Sequence, residues 1–83
     1  MKIYWYKGGK NIIGQRIKEA RQKQLPKMTQ EDLAAKLELV DVNIDRIAVS
    51  RIESGKRFIA DYEAIAIAKA LKVSVAWLFG EEK

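Results

Sequence analysis

One short segment of the sequence, residues 46–53, carries the side chains with the clearest chemical potential. An α-helix turns by about 100° per residue, so side chains three and four positions apart share a face. On such a helix Ala48, Val49 and Ile52 converge on one side. The opposite side carries two guanidinium groups, a hydroxyl and an isoleucine, from Arg46, Ile47, Ser50 and Arg51. This face offers hydrogen bonds around an apolar contact, which suits binding rather than bond cleavage.

Enzyme chemistry has little support in the composition. The 83 residues contain no His and no Cys, which excludes disulfides, imidazole or thiolate metal ligands and the usual Cys-His or Ser-His nucleophile pairs. Glu31 and Asp32 are expected to serve the first turn of a helix, and no Gly-rich phosphate-cradling motif accompanies them. The sequence therefore predicts a non-enzyme with no catalytic residues, no cofactor and no metal.

The charge is unevenly distributed along the chain. The formal net charge is +5, and two basic blocks, residues 7–27 and 46–60, flank an acidic block at residues 28–45. This segregation fits a surface that faces a polyanion, and it equally fits a solvated surface on which charges happen to cluster. Charge alone leaves both interpretations open.

Five short helices with tight connections are predicted to position these residues, which makes the fold class a compact all-α domain. Thr29, Asp45 and Ser74 are typical N-caps, and Gly55 and Gly80 are typical residues after a helix end. The predicted helices run from Asn11 to before Pro26, from the Thr29 cap to Leu37, from Arg46 to about Glu53, from about Asp61 to Leu71, and from the Ser74 cap through Phe79. The predicted buried stripes are Ile13, Ile17 and Ala20, then Leu33, Ala34 and Leu37, then Val49 and Ile52, then Ile65, Ala68 and Leu71.

The domain organisation follows from the same pattern. We divide the chain into an aromatic N-terminal arm at residues 1–10, a helical domain at residues 11–80 and a short tail at residues 81–83. The longest apolar runs are only a few residues, and the first ten residues lack the apolar stretch of a secretory signal. A cytoplasmic protein is the expectation.

Three segments together resemble a known family. Residues 29–37 (TQEDLAAKL), 49–57 (VSRIESGKR) and 66–79 (AIAKALKVSVAWLF) resemble, in this order, the Xre-type helix-turn-helix family. The chain looks like the DNA-binding domain of lambdoid phage repressors, and the resemblance covers about residues 11–80. It implies a five-helix repressor-like fold in which helices 2 and 3 form the helix-turn-helix. The implied function is sequence-specific binding of double-stranded DNA by a bacterial or phage transcriptional regulator, a repressor above all.

The resemblance also implies residue roles. Helix 3 would lie in the major groove, with Arg46, Ile47, Ser50 and Arg51 at base-reading positions. Phosphate contacts would come from Gln30 and from the loop after helix 3, at Ser54, Gly55, Lys56 and Arg57. Arg21 and Glu53 match a pair that forms a buried salt bridge between helices 1 and 3. Each arginine alone could be an ordinary solvated side chain, but the four residues of the outer face together favour DNA.

Two connections are longer than in the family. Pro26 and Lys27 lengthen the first by about two residues, and residues 38–44 lengthen the turn between helices 2 and 3 by about five. This extended turn lacks the family's Gly, and Asn43 can adopt the left-handed conformation that the Gly would have taken. The insertion bears on the angle between the two helices, and hence on Gln30, and it could bring the Asp41 carboxylate near the DNA backbone.

Partners beyond DNA have two candidate surfaces. A homodimer could form through helix 5 (Trp77, Leu78, Phe79), as family members often do, or through the aromatic arm (Tyr4, Trp5, Tyr6). Core packing is the simpler role for the helix 5 residues. The alternative function is an antitoxin-like protein-interaction module, in which one of these surfaces holds a partner protein and DNA binding is secondary.

Overall fold

A computed structural model describes residues 8–82, and it confirms the all-α fold. The helices are α1 (Gly14–Gln22), α2 (Gln30–Glu38), α3 (Arg46–Glu53), α4 (Asp61–Leu71) and α5 (Val75–Leu78). Residues 1–7, and with them the predicted contacts of Tyr4, Trp5 and Tyr6, lie outside the described residues. Within residues 8–82, no helix has the length and apolar character needed to cross a membrane.

The predicted N-cap residues Thr29, Asp45 and Ser74 precede α2, α3 and α5, as expected. The Thr29 hydroxyl accepts a hydrogen bond from the Asp32 backbone N–H, and the Asp32 carboxylate accepts one from the Thr29 N–H in return. The Asp45 carboxylate accepts from the Ala48 N–H at 2.8 Å, and the Ser74 hydroxyl accepts from the Trp77 N–H at 2.9 Å. Each cap satisfies a donor that the first helical turn leaves unpaired, which fixes where the helix begins.

Four helices end in the same way. After each of α2, α3, α4 and α5, one residue adopts the left-handed conformation, and two N–H groups donate back to carbonyls of the last turn. Gly55 and Gly80 fill this position as predicted, with φ of 77° and 79°. After α2 the prediction of Asn43 is wrong, because Asp41 takes the position with φ 61°. α2 ends at Glu38, and the left-handed residue follows three positions later, at Asp41. The chain reverses there, and the next residue, Val42, is buried.

The core lies between the first four helices and is closed by Leu78 of α5. Its fully buried side chains include Ile13, Ile17, Leu33, Leu37, Val49, Ile52, Ile67, Leu71 and Leu78. The predicted stripe of α4 is wrong at Ile65, which is 48% exposed. Ala64, Ile67, Ala68 and Leu71 face inward instead, at the i, i+3, i+4, i+7 spacing of a helix that buries one side.

The start of α1 packs unusually closely against the end of α3. A side chain on Gly14 would place its Cβ 2.2 Å from the backbone oxygen of Ile52, so only glycine allows the two helices this approach. Asn11 joins the same contact, because its amide donates to the Ile52 oxygen at 3.0 Å and to the Arg57 oxygen at 2.9 Å. The Asn11 side-chain oxygen accepts from the Gly14 N–H. Asn11 therefore precedes the helix, whose N-cap is Ile13, and α1 begins at Gly14 rather than at Asn11 as predicted.

We expect Gly14→Ala to destabilise the fold by about 1–3 kcal/mol, because the added methyl group overpacks a contact against rigid backbone. Thermal or urea unfolding followed by circular dichroism measures the loss. The control is Gln15→Ala, an exposed neighbour on α1, which should change the free energy of unfolding by less than about 0.5 kcal/mol. Equal stability of the two variants would contradict the close approach.

Candidate nucleic-acid interface

The outer face of α3 presents the four residues that sequence reasoning selected. Val49 and Ile52 are buried against the core, whereas Arg46, Ile47, Ser50 and Arg51 are exposed on the other side. We call these four residues the recognition face. Ile47 is 61% exposed between the two arginines, so an apolar contact is available at the centre of the face. The structure therefore brings together, on one rigid helix, the hydrogen-bond donors and the apolar side chain.

The two arginines of the recognition face make only weak contacts within the protein. Arg46 lies 3.8 Å from the carboxylate of Glu31 on α2, and both side chains are exposed. Arg51 donates to the backbone oxygen of Lys56 at 3.3 Å, a long and exposed hydrogen bond. Exposed ion pairs of this kind contribute little to stability. Both guanidinium groups can leave these partners at low cost and donate elsewhere.

A buried network behind α3 sets its orientation. The Arg21 guanidinium of α1 donates two hydrogen bonds to the Glu53 carboxylate, at 2.8 Å and 2.9 Å, and a third to the Met28 backbone oxygen at 2.9 Å. Hydrogen bonding to Glu53 raises the pKa of Arg21 above its ordinary value, against the opposing effect of burial. The pair that the family resemblance implied is thus a two-point contact between α1 and α3.

Gln30 belongs to the same network. Its side-chain amide donates to a Glu53 carboxylate oxygen at 3.1 Å, which joins the start of α2 to the end of α3. The sequence placed Gln30 at a phosphate of DNA, whereas the structure places its amide nitrogen on an internal carboxylate. Gln30 accordingly links the two helices of the helix-turn-helix across the extended turn between them.

In the loop after α3, the predicted phosphate-contact residues differ in whether their hydrogen-bond donors are already used within the protein. The N–H groups of Ser54 and Gly55 donate to the Ser50 and Ile52 oxygens at 3.1 Å and 3.0 Å, and the Ser54 hydroxyl donates to the Arg51 oxygen. These donors are therefore already used inside the protein. Lys56 follows as an exposed side chain next to the recognition face.

Arg57 is held by an acid of the next helix. Its guanidinium donates to both carboxylate oxygens of Glu63 at 3.0 Å and 3.1 Å, and also to the Phe58 oxygen. Glu63 in turn accepts from the Ala60 N–H at the start of α4. The hydrogen bonds from Arg57 are the main reason that the pKa of Glu63 lies below its ordinary value, while burial opposes the shift. Arg57 fixes the loop onto α4, a role that sequence reasoning did not assign.

Two further contacts were not anticipated from the sequence. Asn11 supports the end of α3 as described above, and its only sequence signal is an Asn just ahead of a helical pattern. Arg16 stacks on the Trp77 ring at 4.6 Å and donates to the Trp77 backbone oxygen, which attaches α5 to α1. Of the predicted helix 5 contact residues, Leu78 is fully buried in the core and Trp77 is half-buried, whereas Phe79 is exposed.

Comparisons with known proteins agree with this arrangement. A family model described as helix-turn-helix matches residues 17–78. Among solved structures, the P22 c2 repressor protein in complex with synthetic operator 9T is similar, with a TM-score of 0.66 and 25% sequence identity. The match covers 87% of this chain and 98% of the repressor chain. No curated protein matches the chain. The resemblance to the Xre-type, lambdoid repressor-like proteins and the five-helix fold are both confirmed.

The Arg57–Glu63 pair predicts an acid-sensitive contribution to stability. Because the folded pKa of Glu63 lies below the ordinary value of 4.5, the pair stabilises fully above that pH and loses its contribution as pH falls through the lower, folded pKa. We expect Glu63→Gln to cost about 1–3 kcal/mol at neutral pH and much less in acid, as measured by urea unfolding across pH 2–7. The control is Glu19→Gln, an exposed acid of α1, which should follow the wild type throughout. A constant penalty for Glu63→Gln at every pH would contradict the assignment.

Proposed function

The chain belongs to the helix-turn-helix family, and on that premise we propose that it is a sequence-specific repressor that binds double-stranded DNA in the major groove through α3. Its function is binding and not catalysis. One observation carries the proposal: the recognition face is exposed on a capped helix whose other side and C-terminal end are fixed to the core. In the free protein, Ile47 is exposed to water between two arginines that make only weak contacts. Against DNA, the same side chain could bury its apolar surface on a base edge.

Each residue of the recognition face has a chemical counterpart on DNA. A guanidinium can donate two hydrogen bonds to O6 and N7 of guanine, so Arg46 and Arg51 are assigned to guanine contacts. Ile47 is assigned to the methyl group of thymine, and Ser50 to a base edge or a neighbouring phosphate. These four residues supply sequence preference.

We assign fewer residues to phosphate contacts than the family resemblance implies. Lys56 is the principal candidate, since it is exposed beside the recognition face and an ammonium group can meet a phosphate without exact geometry. Ser54 and Gly55 shape the turn that presents Lys56. Gln30 and Arg57 support the site through Glu53 and Glu63, and they reach DNA only if those internal bonds are exchanged.

A homodimer on a two-fold symmetric operator completes the proposal. Phe79 and Ile12 are exposed beside a shallow apolar pocket of about 250 Å³ near the end of α5, and a second copy could bury them. To contact two half-sites one turn of the double helix apart, such a dimer must hold its two α3 helices about 34 Å apart. Phe79, and not the buried Leu78, is the helix 5 residue available to such a contact.

Selection of binding sites from a random duplex pool tests the function directly. We expect one motif to emerge, with a selected duplex bound at least ~10³-fold more tightly than a scrambled duplex in anisotropy titrations at physiological salt. The spacing of half-sites in the motif measures the dimer geometry. Weak and equal binding of both duplexes would reject the proposal and favour a protein partner instead.

Single substitutions separate the assigned roles. Arg46→Ala and Arg51→Ala should each reduce the preference for the selected duplex by about 1–3 kcal/mol, because each removes contacts to bases. Lys56→Ala should weaken selected and scrambled duplexes alike and lower the salt dependence by about one counterion. Lys18→Ala, an exposed lysine of α1, is the matched control and should change neither quantity. If the three variants have the same effect, the division into base and phosphate contacts is wrong.

A further inference from the structure

An open groove of about 480 Å³ lies between the extended turn and the outer side of α4. Its walls are Leu39, Val40, Tyr62 and Ile65, and Val42 forms part of its lining. We call it the lysine-rimmed groove, because Lys36, Lys69 and Lys72 also line it. None of the four recognition-face residues belongs to its lining, so the groove is a surface distinct from the recognition face.

The apolar exposure of this groove is large for so small a domain. Leu39 is 85% exposed, Tyr62 63%, Val40 60% and Ile65 48%, and all four line the same depression. Single exposed apolar residues are normal on protein surfaces, but a contiguous group with a polar rim typically marks an interaction site. Two of the four residues come from the extended turn, which is the part of the chain where this sequence departs from its family.

The backbone of the groove is well defined. Hydrogen bonds from the Asp41 and Val42 N–H groups back to α2 fix the turn that carries Leu39 and Val40. Lys72 is held in the left-handed conformation by an equivalent pair at the end of α4. The apolar walls and at least one of the rim lysines therefore stand on fixed backbone, which reduces the ordering cost of binding a partner.

The charge of the rim indicates the occupant. The lining that the described residues supply contains three lysines and no carboxylate, and neither Glu38 at the end of α2 nor Asp41 of the turn lines it. A second copy that docked by two-fold symmetry would bring lysines against lysines. The N-terminal seven residues carry two lysines and no acid, so they match the rim no better. DNA would satisfy the lysines but would leave the four apolar walls without a suitable contact.

We propose that the lysine-rimmed groove docks an acidic segment of a partner protein, one that inserts apolar side chains between the turn and α4 and pairs its carboxylates with Lys36, Lys69 and Lys72. A short amphipathic helix suits the shape, since one apolar stripe can fill the groove while acids on its flanks reach the rim. The inference is independent of the DNA-binding proposal, because it uses other residues.

A displayed library of random 12-residue peptides, selected on the whole chain, tests the proposal. The expected result is enrichment of peptides that combine large apolar residues with Asp and Glu. A selected peptide should lose at least about tenfold in affinity for Ile65→Ser and for Lys69→Glu, measured by anisotropy of the labelled peptide. Selection on the Lys69→Glu variant should shift the enriched peptides towards fewer acids.

Controls keep the outcome interpretable. Leu25→Ser and Lys18→Glu alter exposed residues outside the groove and should leave peptide affinity unchanged. Circular dichroism melts establish that every variant folds, and binding to the selected DNA duplex should persist in Ile65→Ser. The proposal is overturned if no acidic apolar peptides are enriched, or if the enriched peptides bind the groove variants as well as the wild type. Loss of duplex binding in Lys69→Glu with unchanged peptide binding would assign the rim to DNA instead.

Discussion

The orientation of α3 depends on one buried ion pair, Arg21 with Glu53. Removing both charges from water is costly, and the cost is met only because each group is fully engaged. Arg21 donates to Glu53 and to the Met28 oxygen, and Glu53 also accepts from Gln30. Among the described residues, no buried side-chain nitrogen or oxygen lacks a hydrogen-bond partner. One carboxylate at the end of α3 thus connects α1, α2 and α3, and it holds the helix-turn-helix together although the turn itself is long.

A second ion pair, Arg57 with Glu63, similarly connects two parts of the fold. It joins the loop after α3 to the first turn of α4, where a carboxylate also satisfies a backbone donor. Together the two pairs show that the basic character of a sequence segment overstates the cations available to DNA. Of the four basic residues between 46 and 60, one is occupied by an internal acid, and the other three lie exposed on or next to the recognition face. The proposed DNA-contact surface is therefore smaller than the charge distribution suggests.

Several parts of the fold that depend on local sequence were predicted correctly. Caps such as Asp45 and the bounds of α3 and α4 follow from hydrogen bonds and burial patterns within a few residues of the chain, which a sequence displays directly. Ile65 was misplaced because α4 carries apolar residues on several sides, and the choice of the buried side depends on packing. Asn43 was proposed for the left-handed conformation because of its residue type. The residue that adopts this conformation is Asp41, whose place is fixed by the hydrogen bonds that end α2. The internal hydrogen bonds of Gln30 and Arg57 depend on how the helices pack. Matching these residues to a family motif predicted where they lie along the chain, but not which groups they bind.

The contact between Gly14 and the end of α3 has a consequence for how the protein meets DNA. With its C-terminal end pressed on α1 and held by Asn11 and Arg21, α3 has little freedom to tilt or slide into a groove. In the proposed complex, adjustment then falls on the long arginine side chains and on the double helix itself. The energy needed to bend or twist DNA varies with base sequence, even at base pairs that no side chain touches. A stiff reading helix of this kind turns the mechanical properties of the operator into part of what is recognised.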